Sequence, residues 1–184
     1  MKILYGCCYN GVLLGNEKTI HHIDYVDILK CDNKKNGNFI QEDIMNINLE
    51  DYDCIILSPP CNYYSRGNYR REQSKYALET KHLLPDLLDK CLRINKPFII
   101  ENVRNKPMFT TMGLYDKSPF VYHLIRHTYF SNVMLDISNI PQDYEYIQRS
   151  KRTKEHNSRE GGINVERVFN HFIKVVENGK GKIL

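Results

Sequence analysis

The sequence predicts an α/β protein, a mostly parallel sheet with helices on both faces, and three observations predict it. Short apolar runs alternate with loops and with helical patterns along the chain. Two of those runs, residues 53–57 and 97–100, are apolar on both sides, as strands buried on both faces are. Chemically loaded residues follow the runs directly, at the carboxyl ends of strands where open α/β sheets gather their functional groups.

The elements follow in order. Residues 2–5 are a short apolar start, followed by Gly6, Cys7, Cys8, Tyr9, Asn10, Gly11 and then Gly15, so a first strand runs into a glycine-bearing loop. Residues 23–30 are rich in branched side chains and make a second strand, which ends near Cys31-Asp32-Asn33. A polar loop with Gly37 leads to a short strand at residues 39–41, which stops at Glu42-Asp43. The run D-C-I-I-L at 53–57 is a strand that Ser58-Pro59-Pro60 ends abruptly, because two prolines supply no ladder donors. Leu83, Leu84, Leu87, Leu88 and Cys91 recur at helical spacing, with Pro85 either opening the main part of that helix or kinking it. Residues 97–100 form another buried strand, closed by Glu101-Asn102, and residues 129–135 a later one. Residues 136–157 read as polar loop with a basic run at 149–154. Val165, Val168, Phe169, Phe172, Ile173 and Val176 then build the apolar face of a last helix, with Asn178-Gly179 as its stop.

A chain of 184 residues holds one core, so residues 1–184 are expected to be one domain. The 26 Lys and Arg against 22 Asp and Glu leave a formal charge of +4, compatible with a nucleic-acid partner. The six cysteines form no C-x-x-C pair, and no histidine pair has zinc-ligand spacing, so no metal is expected. Free thiols inside apolar runs suit a reduced, cytoplasmic setting. Residues 1–4 carry no signal-peptide core, and no apolar run approaches the roughly 20 residues a membrane span requires.

Cys61 follows a buried strand and two stiffening prolines, which would hold its thiol at the sheet edge. It is a candidate nucleophile if positive charge lowers its pKa, and Arg66, Arg70 and Arg71 follow closely. Taken alone, the simpler reading is a loop cysteine. Glu101 is a candidate general acid, or a capping or ion-paired group.

Together these segments resemble the DNA cytosine-5 methyltransferases. Ser58-Pro59-Pro60-Cys61-Asn62-Tyr63-Tyr64-Ser65 is similar to that family's S-P-P-C-Q-x-x-S motif, and Ile99-Ile100-Glu101-Asn102-Val103 to its E-N-V motif, at the family's usual interval. Weaker likenesses extend the match over much of residues 1–135. Tyr5 to Gly11 stands where the family has F-x-G-x-G-G, here reading Y-G-C-C-Y-N-G. Asp32 is placed like the acid that binds the cofactor ribose, and Asp43 like the one that meets the adenine. Arg126-His127-Thr128-Tyr129-Phe130-Ser131-Asn132 resembles the basic motif of short, phage-type members, and residues 161–165 echo the last motif.

The resemblance implies a Rossmann-like methyltransferase fold that binds S-adenosylmethionine through Tyr5, Gly6, Gly11, Asp32, Asp43 and Pro59. It implies transfer of a methyl group to carbon 5 of a cytosine flipped out of DNA. Cys61 would add to carbon 6, Glu101 would partner N3, Asn102 would orient the loop, and Arg126 would add positive charge near base or phosphate. Ser65, Arg66, Arg70 and Arg71 belong to a basic, aromatic segment suited to DNA, since Arg meets phosphates and Tyr stacks on bases. A phage or mobile-element origin in a bacterial cell follows from the same likeness. The interval available for a target-recognition domain is only about 30 residues, too short for an independent core. Specificity would then be low, or would come from a homo-oligomer or a partner protein. Two other functions fit: a catalytically silent fold that binds DNA or protein, and an enzyme using the same thiolate addition on RNA or a pyrimidine nucleotide.

Overall fold

In β1 (Lys2–Gly6), Ile3 and Tyr5 turn to one face and Leu4 to the other, and this alternation sets the layers of the whole molecule. The computed structural model describes residues 1–8, 21–30, 37–124, 126–138, 140 and 156–179, with 156–164 described by backbone alone. Besides β1, the strands are β2 (His22–Asp27), β3 (Asn38–Gln41), β4 (Cys54–Leu57), β5 (Phe98–Val103), β6 (Phe120–Leu124) and β7 (His127–Ser131). They join into one seven-stranded sheet in the order β3-β2-β1-β4-β5-β7-β6. The five strands from β3 to β5 are mutually parallel, and β7 runs antiparallel to both of its neighbours.

The helices are α1 (Lys75–Thr80), α2 (Leu83–Leu92), α3 (Lys106–Thr111), α4 (Leu114–Lys117) and α5 (His156–Glu177). Val168, Phe169 and Phe172 of α5 cover the face that carries Ile3, Tyr5, Ile56, Ile99 and Tyr129. Leu84, Leu87, Leu88 and Cys91 of α2 cover the opposite face, against Leu4, Ile55, Leu57 and Ile100, and Phe109 of α3 joins them. Pro85 is the third residue of α2, where a missing N–H removes no helical hydrogen bond, so it belongs to the helix start rather than to a kink.

Several boundaries differ from expectation. The second strand stops at Asp27 instead of reaching residue 30, leaving Ile28 and Leu29 56% and 50% exposed at the strand's carboxyl end. The late strand covers His127–Ser131 rather than 129–135, and β6 lies in a stretch the pattern left unassigned. The helix predicted from residue 165 begins by His156. The expected basic loop at 149–154 lies outside the described residues. Among the described residues, no helix is long and apolar enough to cross a membrane, and no cluster of side chains has the makings of a metal site.

The sheet order reverses between β1 and β4: the chain moves outward through β2 and β3 on one side and through β4 and β5 on the other. Crevices for ligands open outside the carboxyl ends of strands at such a switch point.

Candidate active site

A cavity of about 450 Å³ opens at that switch point. Cys7 lines it from the end of β1, Asp27, Ile28 and Leu29 from the end of β2, Glu42, Asp43 and Ile44 from beyond β3, and Ser58 and Pro60 from the end of β4. Tyr76, Glu79, Thr80, His82 and Leu83 close the far wall. Among the described residues the lining carries four carboxylates and neither lysine nor arginine. These residues suit a neutral or cationic nucleoside: carboxylates accept from ribose hydroxyls or meet a positive charge, and Ile28, Leu29, Ile44 and Leu83 offer apolar walls to a flat ring.

The ends of β1 and β3 are shaped for close approach. A Cβ on Gly6 would stand 2.5 Å from Cδ1 of Ile44 and 2.7 Å from Cδ2 of Leu57, so only glycine fits without displacing them. Cys7 follows with φ +56°, a left-handed conformation that glycine adopts more easily. Asp43 caps the 3-10 turn Ile44–Asn46 by accepting from the Met45 N–H at 2.9 Å. Lys90 of α2 clamps the same turn, donating to the carbonyls of Met45 and Ile47 at 2.8 and 2.7 Å.

Cys61, Glu101 and Asn102 come together because β4 and β5 are parallel neighbours whose carboxyl ends lie side by side. Asn102 is fully buried and donates from Nδ2 to the Pro59 carbonyl at 3.0 Å, tying the Cys61 loop to β5. Its Oδ1 accepts from the Val103 N–H at 3.0 Å. Asn105 adds a second tie, donating to the Tyr64 carbonyl at 2.7 Å. The Cys61 carbonyl accepts from the N–H groups of Tyr64 and Ser65 at 3.0 and 2.8 Å, so a tight turn begins at the cysteine.

The Cys61 thiol is pushed up, first by burial and then by the negative charge of Glu101. This corrects the expectation that Arg66, Arg70 and Arg71 activate it. Glu101 itself meets His127, whose Nδ1 lies 2.6 Å from Oε1. Arg126, expected near base or phosphate, is exposed in the turn between β6 and β7, and its carbonyl accepts from the Arg104 N–H at 2.6 Å.

Other expected residues are also redistributed. The Tyr5 ring does not reach the cavity; it is buried in the core, with its centroid 5.9 Å from that of Tyr25 and 5.6 Å from that of Phe169. Pro59 is buried behind the cavity wall, and Ser58 and Pro60 line it instead. Gly11 and Asp32 lie outside the described residues. Asp27 is the acid on which β2 ends, a position marked in the sequence as the last residue of the run Ile23-Asp24-Tyr25-Val26-Asp27.

In the basic segment, Arg71 is held inward: Nε donates to the Asn68 carbonyl at 3.2 Å and Nη2 to the Ser65 carbonyl at 3.1 Å. Tyr64 is buried with its hydroxyl donating to the Lys81 carbonyl, and Tyr63 donates to Glu72 at 3.0 Å. Arg66 and Arg70 remain exposed, Ser65 half-buried, and Tyr69 is 93% exposed, the ring most available for stacking. No protein-family model matches the chain, and a search of curated proteins returns no significant match.

Proposed function

We propose that the protein transfers a methyl group from S-adenosylmethionine to carbon 5 of cytosine in DNA, through a covalent adduct at Cys61. The observation that carries this reading is the Cys61–Glu101 pairing. A half-buried thiol and a carboxylate stand on adjacent strand ends, beside an acidic cavity suited to a cationic nucleoside.

The cavity's composition fits the cofactor. Asp27 stands where a carboxylate at the end of the second strand takes a ribose, about 20 residues beyond the first-strand glycine. Asp43 and Ile44 supply a polar and an apolar edge for a purine, and the carboxylates together favour the positive charge of a sulfonium and an ammonium. When bound, S-adenosylmethionine supplies the methyl group as an electrophile.

The chain's own residues do the rest. The Cys61 thiol gives its proton to the Glu101 carboxylate, which passes it to N3 of the ring as the sulfur bonds to carbon 6, so the adduct is neutral and the carboxylate is regenerated. Carbon 5 becomes nucleophilic in the resulting enamine. Once carbon 5 carries the methyl group, its proton would leave to water, and as the carbon–sulfur bond breaks the N3 proton would return through Glu101 to the Cys61 sulfur, releasing the thiol and neutral 5-methylcytosine. Asn102 holds the loop through Pro59, and His127 holds Glu101.

The thiolate and not the thiol is the nucleophile, so the raised Cys61 thiol has to lose its proton to Glu101 during the addition rather than before it. The same feature, with Cys7 in a left-handed conformation, also suits a silent fold that binds nucleic acid without chemistry. DNA containing 5-fluorocytosine separates the two, since fluorine at carbon 5 blocks the final elimination. An adduct by denaturing gel and mass spectrometry that disappears in Cys61→Ala supports the enzyme. An adduct on RNA alone would move the substrate, and no adduct with no cofactor binding would leave the silent fold.

A further inference from the structure

On the other side of the Cys61–Glu101 pair, the surface reverses its charge. An open groove of about 830 Å³ is lined by Arg66, Arg104, Lys106, Pro107, Thr110 and Thr111. Arg66 comes from the loop after Cys61, and the others from the β5–α3 connection and α3. No carboxylate among the described residues pairs with Arg66, Arg104 or Lys106. Their field is felt nearby: burial, and then the charges of Arg104 and Lys106, hold the His123 imidazole below its ordinary range.

The groove is built rather than incidental. Asn105, between Arg104 and Lys106, is almost fully buried and is fastened to the Tyr64 carbonyl. Arg71 fastens the Ser65 carbonyl from inside the loop, and its Nη1 reaches the Met108 sulfur of α3 at 4.0 Å. Both walls are therefore fixed to each other beneath the exposed cations. The Arg104 N–H bond to the Arg126 carbonyl brings a further cationic residue to the same edge. Along the sheet the order is acidic cavity at β2, β1 and β4, then Cys61, then Glu101, then the basic groove beyond β5. A cation is favoured at one end of the reacting pair and a polyanion at the other.

We propose that this groove seats the phosphodiester backbone of the DNA strand that carries the target base, with Arg66, Arg104 and Lys106 as its phosphate contacts. The proposal rests on the reading of the protein as a DNA-modifying enzyme and adds the path of the strand. Cations on two separate walls of an open groove suit a continuous backbone better than one isolated phosphate, and cationic side chains that neutralise phosphates release condensed counterions.

The test is the salt dependence of binding, measured by fluorescence anisotropy with the full chain and a labelled duplex. Each phosphate contact contributes about 0.9 to the slope of log K against log salt. Arg104→Ala combined with Lys106→Ala should lower the slope by about 1.8 and weaken binding uniformly across sequences, while cofactor affinity and the thermal midpoint stay at the wild-type values. Arg104→Glu should weaken binding further at low salt, and should do so even if the alanine pair perturbs α3. A slope equal to wild type in both variants overturns the proposal, as does a wild-type chain that binds no DNA at any salt. Adducts on 5-fluorocytosine DNA with an unresponsive slope would sink the groove and leave the chemistry standing. A responsive slope without adducts would sink the chemistry and support the groove.

Discussion

Glu101 and His127 face each other diagonally across the β5–β7 ladder, with Oε1 and Nδ1 at 2.6 Å and both side chains largely buried. The register pairs Glu101 with Tyr129 and Val103 with His127, so the side chains of Glu101, Tyr129 and His127 share one face. The imidazole meets one carboxyl oxygen. In the function proposed above, the other oxygen serves the substrate, and His127 acts through Glu101 as a positioning residue.

Replacing His127 should therefore slow adduct formation without removing the nucleophile. A hydrogen bond to a charged group contributes about 1.5–3 kcal/mol, so His127→Ala should lower kcat by about 10- to 100-fold. His127→Gln retains a donor and should recover part of that loss. KM for DNA should change little, because Arg66, Arg104 and Lys106 are untouched. Single-turnover kinetics on the two variants checks this; equal rates in Ala and Gln would remove the hydrogen bond from the explanation.

The thiol of Cys61 carries a pH prediction. Its two raising causes are burial and the charge of Glu101, so the thiolate forms above the usual cysteine range. Alkylation of Cys61 by iodoacetamide, followed by peptide mass spectrometry, should be slow at neutral pH and rise at higher pH than for an exposed cysteine. Glu101→Gln removes the second cause, and the midpoint should move down. A midpoint that stays or moves up in Glu101→Gln would show that the carboxylate does not act on the thiol.

The sheet was legible in the sequence because its strands are apolar on both faces: D-C-I-I-L and P-F-I-I cannot be placed elsewhere without exposing isoleucine. The Cys61–Glu101 neighbourhood was legible for the same reason, since both residues stand where such runs end. β6 was not, because F-V-Y-H-L lies at the sheet's edge and is mostly half-buried, so its pattern is neither clean alternation nor a continuous apolar run. The cavity wall was only partly legible. Tyr5 and Cys7 are two residues apart, yet one turns into the core and the other, with positive φ, lines the cavity, and a backbone reversal of that kind leaves no trace in composition. The pairing of Glu101 with His127 rather than Arg126 depends on antiparallel register across β7, which a one-residue slip would have inverted.

Asn102 should be the most sensitive of the non-reacting residues to substitution. Its buried amide joins Pro59 to β5, and Asn102→Ala leaves the Pro59 carbonyl without that donor. The loss is about 1–3 kcal/mol of stability, a fall of several degrees in Tm, together with a looser Cys61 loop. Asn102→Asp places a carboxylate oxygen against the carbonyl and should be worse on both counts. Thermal unfolding of the two variants beside wild type checks the order; Asn102→Asp as stable as Asn102→Ala would mean that the amide donor is not what holds the loop.

The cavity can be tested by charge without disturbing its shape. Asp43→Asn keeps the cap on the 3-10 turn, since Asn caps as well as Asp, and removes one negative charge from the wall. Asp27→Asn keeps an acceptor for the Leu29 N–H, which Asp27 now receives at 2.9 Å, and removes a second. If the cavity holds S-adenosylmethionine, Asp27→Asn should weaken it by about tenfold, the equivalent of one lost charge-assisted hydrogen bond. Asp43→Asn should weaken it less, because its carboxylate already serves the turn. Adenosine, which lacks the sulfonium and the ammonium, should bind more weakly than S-adenosylmethionine to wild type and lose less of its affinity in Asp43→Asn. Isothermal titration of both ligands against the three proteins gives the comparison. Equal affinities for the two ligands throughout would mean that the acidic wall does not select a cation, and the cofactor assignment would fall with it.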